Sequence, residues 1–145
     1  MDSEKKECKA LKLLSLIVMI IFLLAGILLI IFSGNHYAKF FNRFAVMYNT
    51  EHWMLPCAIS TVVLKTIGAF LLMWSFLLYK LIQNPLRNAI VATGSGVGFL
   101  LIAAVTVSHF FSKEIIGIIP PFIMAIRVLV TATLGFLFLI WTPKQ

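Results

Sequence analysis

Between Leu13 and Phe32 the chain runs for twenty residues without a charge, LLSLIVMIIFLLAGILLIIF, and Ser15 is its one hydroxyl. At a rise of about 1.5 Å per residue, a helix of this length reaches roughly 30 Å, the depth of a bilayer's hydrocarbon core. A chain carrying such a segment folds with lipid as its solvent. Only 12% of its residues are charged and 61% are hydrophobic, with a mean hydropathy of +1.04. A soluble domain carries about 25% charge. The 145 residues suffice for one integral membrane domain, residues 1–145. In a soluble protein the net charge of +7 would point to nucleic acid. Here no nucleic-acid partner is expected, because basic residues that flank membrane spans serve to orient them.

Three further apolar stretches follow, near residues 57–79, 89–111 and 118–141, after the first near 13–33. Each is too long for a barrel strand of about ten residues and lacks its alternation. Helices are then the way to satisfy every backbone N–H and C=O in lipid. The expected fold is all-α, a four-helix transmembrane bundle. Asn84-Pro85 breaks the chain between the second and third spans, and Pro120-Pro121 opens the fourth, where a missing N–H costs little. Trp53, Tyr79 and Trp141 sit at span edges, the headgroup level that amphipathic rings favour.

Orientation follows from the cations. Lys5, Lys6, Lys9, Lys12, Lys80, Arg87 and Lys144 fall on one side of a four-span chain, and Lys39, Arg43 and Lys113 on the other. The positive-inside rule puts both termini in the cytoplasm. The first run is too long for the core of a cleaved signal peptide, and no clean A-x-A site follows it, so a retained signal-anchor is expected. In the connector Asn35–Pro56, residues Tyr37, Phe40, Phe41, Phe44, Met47 and Tyr48 recur at helical spacing. They predict a short helix lying in the interface between spans 1 and 2, either a lid or a plain connector.

Most candidate chemistry is thin. Cys8 and Cys57 fall on opposite sides of the membrane, and no C-x-x-C is present. Cys8, beside Lys5, Lys6 and Lys9, is either a palmitoylation target or a plain thiol. His36, His52 and His109 lie near span ends without metal-ligand spacing, so neither a metal site nor a cofactor is expected. Gly94-Ser95-Gly96-Val97-Gly98 lacks the Lys-Ser/Thr ending of a phosphate loop. Its Gly94 and Gly98 form a G-x-x-x-G, which predicts a close helix contact.

Lys65 and Arg127 are different. Each lies nine or ten residues inside its span, which by its own helix is about 12–15 Å deep. A charge within a span costs on the order of 2.5–3.5 kcal/mol and marks a functional site by default. All five carboxylates, Asp2, Glu4, Glu7, Glu51 and Glu114, lie outside the spans. The cations then either snorkel to the headgroups or meet an anion. Small and polar residues share faces with them: Thr61, Gly68 and Ser75 in the second span, and Thr131 and Gly135 in the fourth. With Thr106 and His109 of the third span, they predict a polar, ligand-binding pocket open toward the outer leaflet.

The segment Leu64-Lys65-Thr66-Ile67-Gly68-Ala69, with the aromatic connector, the His109 region and Arg127, resembles the DoxX-like superfamily of small four-span membrane proteins. The resemblance extends over most of the chain and implies an accessory role beside membrane oxidoreductase complexes or in the assembly of other membrane proteins. The chain departs from the pattern at Leu71, where such proteins often carry an acid, so an acid-dependent role is not implied. Three functions result. The leading one is a non-enzymatic accessory or assembly protein partnered by another membrane protein. The second is a binding or transport protein for an anionic or lipid-like ligand held by Lys65 and Arg127. The third, an intramembrane enzyme, lacks a visible nucleophile–base pair or deep carboxylate.

Overall fold

The computed structural model describes residues 2–32, 57–109 and 121–143. They form four helices: α1 (Asp2–Ile31), α2 (Cys57–Gln83), α3 (Ala89–His109) and α4 (Pro121–Ile140). No strand occurs among the described residues. All four are long and apolar enough to cross a membrane, the architecture of a multi-pass integral membrane protein. The interfacial segment expected between the first two spans lies outside the described residues.

Two boundaries differ from the apolar runs. α1 starts eleven residues before Leu13, and α2 continues four residues past Tyr79. Lysine and glutamate are good helix formers, so a helix does not stop where its apolarity does. The turn after α2 is tied by two asparagines. Asn84 Oδ1 accepts from Arg87 N at 3.2 Å, as a helix-capping residue does. Asn88 Nδ2 donates to the carbonyls of Lys80 (2.9 Å) and Asn84 (3.0 Å), a second bond on acceptors that also take the backbone N–H of Asn84 and Asn88. α4 begins on Pro121, which lacks only an N–H the first turn would not use.

The helices pack as two pairs, α1 with α2 and α3 with α4, and packing between the pairs is much thinner. Glycines set both pairings. A Cβ on Gly26 would come within 2.9 Å of the Gly68 carbonyl oxygen, and one on Gly68 within 2.9 Å of the Gly26 oxygen. Gly96 and Gly135 stand in the same relation at 3.0 Å each way. In lipid, where burial supplies no drive between helices, such backbone approach maximises dispersion contact.

The pairs are joined at one end, where Leu11 of α1 and Phe138 of α4 share a core with Leu14, Val18, Leu78, Leu81, Ala92 and Phe99. This end, which holds the start of α1 and the close of α4, is called the near end below. Phe99 stacks on Phe138 and tilts against Phe22, both at 5.9 Å between centroids. Trp74 Nε1 of α2 donates to Ser95 Oγ of α3 at 3.1 Å, and this bond crosses from one pair to the other.

Candidate functional site

Toward the opposite, far end the core-facing stripes carry exposed residues. An α-helix turns about 100° per residue, so positions four, seven and eleven apart share a stripe. On α4, Arg127 lies on the stripe of Thr131, Leu134 and Phe138, and Phe138 is fully buried in the core. Arg127 itself is exposed. The same transition occurs on two other helices. Ile102 continues the stripe of Ser95 and Phe99 on α3, yet is 41% exposed. Ile67 continues the stripe of Leu71, Trp74 and Leu78 on α2, yet is 44% exposed. Each of these three core-facing stripes thus carries an exposed residue toward the far end, although Thr106 of α3 and Met124 of α4, still farther out, are buried again. Arg127 is the charged group among these three exposed residues.

The glycine contacts also fix depth. α1 and α2 run antiparallel through Gly26 and Gly68, so Lys65 stands level with Leu29, three residues from the end of the apolar run at Phe32. That is about 5 Å. Arg127, eight residues before Gly135, stands level with Ala104, five residues before the last residue of α3. That is roughly 7 Å. Measured along the helices they pair with, the two cations stand at similar levels, nearer the far end than a count along α2 or α4 alone suggests. α2 and α4 start beyond the far ends of the helices they pair with, so counting along each helix alone overstates how deep they lie.

Lys65 and Arg127 do not share a wall. Lys65 lies on the stripe of Leu72 and Phe76, which flanks α1 on the side away from α3 and α4, and its side chain is exposed. Phe76 on that stripe is 59% exposed. The phase of each cation relative to its neighbours, not its depth, separates them. Thr106 is buried, and its Oγ1 donates to the Ile102 carbonyl at 2.8 Å, a local bond that spends its proton within α3. His109 closes α3, and its side chain lies outside the described residues. Of the four expected ligand-binding residues, Arg127 is the one found exposed on a core-facing stripe.

The close contact expected of Gly94 and Gly98 is not made between the described helices of the chain. Neither has any atom within 4 Å of a built Cβ, whereas Gly96, between them, makes the contact with Gly135. The missed signal was simpler than G-x-x-x-G. Each span carries a glycine well inside its run, Gly26, Gly68, Gly96 and Gly135, and these four pair across the helices.

The remaining buried hydroxyls have ordinary structural roles. Ser75 Oγ donates to the Leu71 carbonyl at 2.8 Å, and Ser95 Oγ to the Val91 carbonyl at 2.7 Å while accepting from Trp74. Ser15 is the exception. It is fully buried and its Oγ has no hydrogen-bond partner. No group of three or more His, Cys, Asp or Glu side chains suited to a metal ion occurs among the described residues.

No family model, curated protein or solved structure matches the chain.

Proposed function

We propose that this chain is a non-enzymatic accessory or assembly protein of a membrane. In this reading both termini are cytoplasmic and the far end faces the outer leaflet. The stripes around Arg127, Ile102 and Ile67 receive a transmembrane helix of a client protein. That helix carries a carboxylate about one to two turns below the outer edge, level with Arg127.

The observation that supports this most directly is Arg127. It continues a core stripe, has no cover, and belongs to a chain whose spans contain no carboxylate. A cation in lipid gains by meeting an anion there, and an ion pair between spanning helices supplies both affinity and register. The apolar flanks suit an aliphatic helix face. The accessory role implied by the DoxX-like resemblance agrees with it. Lys65, shallow and on the outer flank, reaches the headgroups by snorkelling.

A second reading has its own support. An exposed guanidinium on a core-facing stripe, with Ile67 and Ile102 exposed on the stripes of the two other helices, also fits a lipid-like anion, its acyl chains against the isoleucines and its phosphate on Arg127.

Quantitative copurification in mild detergent tests the proposal. Arg127→Leu should still insert, since leucine is favourable in lipid, but should lose the client protein. Arg127→Lys should keep part of it. Client retention by Arg127→Leu at the wild-type level would refute the accessory reading. A phospholipid retained by the wild-type protein and lost in Arg127→Leu, with no protein partner, would favour the second.

A further inference from the structure

The helix α1 does not begin at the membrane. It runs unbroken from Asp2, so eleven helical residues precede the apolar run at Leu13. Lys5, Lys6, Lys9 and Lys12 are spaced one, three and three residues apart, which gathers them on one face. Glu7 lies four residues before Leu11 and seven before Leu14, and so extends the stripe that enters the core. Glu4 precedes Leu11 by seven residues and joins the same side. The helix positions of the four lysines and of the two glutamates thus fall on different sides of its backbone.

Packing fixes which way this face looks. Leu11 is fully buried, Leu14 and Val18 are nearly so, and all three belong to the core. α1 cannot rotate without withdrawing them, so the face that bears Lys9 and Lys12 is held away from the bundle. Lys9 and Lys12 are exposed accordingly. Lys80, at the same end of α2, is exposed too, and its Nζ lies 5.4 Å from the Phe76 ring centroid.

We propose that this face is a binding surface for anionic phospholipid headgroups of the near-end leaflet. Height favours lipid over an acidic protein segment. Lys12 adjoins the apolar run, Lys9 stands about 6 Å from its first residue, and Lys6 and Lys5 about 10–12 Å from it. The headgroup layer is roughly 5–8 Å deep on each side, so the stripe crosses it rather than standing clear in water. Each lysine near such a surface strengthens binding about fivefold. If the near end is cytoplasmic, the leaflet it meets is the negatively charged one.

The test uses the full-length protein in a neutral detergent. The probes are dioctanoyl phosphatidylserine, a dioctanoyl phosphatidylinositol bisphosphate and, as the neutral control, dioctanoyl phosphatidylcholine. Micelles leave both ends accessible, so the result does not depend on the orientation of the chain or on the role of Arg127. Titration followed by the thermal unfolding midpoint should show binding of either anionic lipid, weakened by salt, and little of phosphatidylcholine. A response to both anionic lipids identifies general charge recognition. A response to the bisphosphate alone identifies a multivalent phosphate site, and either supports the proposal. K9Q/K12Q should weaken binding by about twenty-fivefold. A quadruple variant that adds K5Q and K6Q should abolish it. K9R/K12R should preserve it, which separates charge from folding. Unchanged affinity in K9Q/K12Q, equal binding of phosphatidylcholine, or tighter binding of a soluble polyglutamate peptide than of either lipid would overturn the proposal.

Discussion

Ser15 and Ser95 are both buried serines in apolar helices, and they should respond oppositely to the loss of a hydroxyl. Ser95 Oγ accepts the Trp74 indole N–H, the side-chain hydrogen bond that crosses between the two helix pairs. Ser95→Ala leaves that N–H in a low-dielectric interior without its acceptor. The expected loss is about 0.6–1.7 kcal/mol, the range for side-chain hydrogen bonds between membrane helices. Ser15 Oγ has no partner to lose, and its burial is already an uncompensated cost. Ser15→Ala should be neutral or slightly stabilising. Unfolding of both variants in mixed micelles checks the pair. A larger loss at Ser15 than at Ser95 would mean that Ser15 has a bonding role.

Among helices, the decisive feature is which glycine meets which. Gly96→Leu forces a side chain into the Gly135 carbonyl and Leu139, which lie 2.7–3.0 Å from a built Cβ. Overpacking of this kind costs about 1–3 kcal/mol, and with backbone on the opposing side relaxation is limited. Gly98→Leu meets open space within the chain and should cost under about 0.5 kcal/mol. Thermal unfolding in detergent separates them, and equal destabilisation would contradict the pairing described here. This scale also shows what the sequence made legible. The four spans were plain because lipid admits few backbone solutions, and length and apolarity alone identify them. The helix contacts were harder. Gly94, Gly96 and Gly98 alternate, so two turn-spaced faces compete, and the choice between them is set by Gly135 on another helix. The cations follow the same logic. That Lys65 and Arg127 are costly could be read from the chain. That one of them lies beside α1, away from the core stripe, while the other continues a core-facing stripe depends on packing between helices.

The molecule as a whole is two glycine-paired hairpins closed together at one end. Phe22, Phe99 and Phe138 meet between the pairs, while Ile67, Ile102 and Arg127 are the exposed residues of the core-facing stripes. In the proposed orientation Cys8, five residues before the apolar run, is cytoplasmic. In a Cys57→Ser background, an impermeant maleimide should leave Cys8 unlabelled in intact cells and label it after permeabilisation. Labelling of intact cells would invert the topology and move Arg127 to the cytoplasmic leaflet.

The central claim is that the far end holds a client helix through Arg127. A photo-cross-linking residue at Ile102 tests it most directly against the same residue at Leu129, which is 69% exposed and lies about 160° around α4 from Arg127. The account predicts a discrete protein adduct from Ile102, a weak one or none from Leu129, and loss of the Ile102 adduct when Arg127→Leu is added. Equal adducts from both positions, or an Ile102 adduct unchanged by Arg127→Leu, would contradict it.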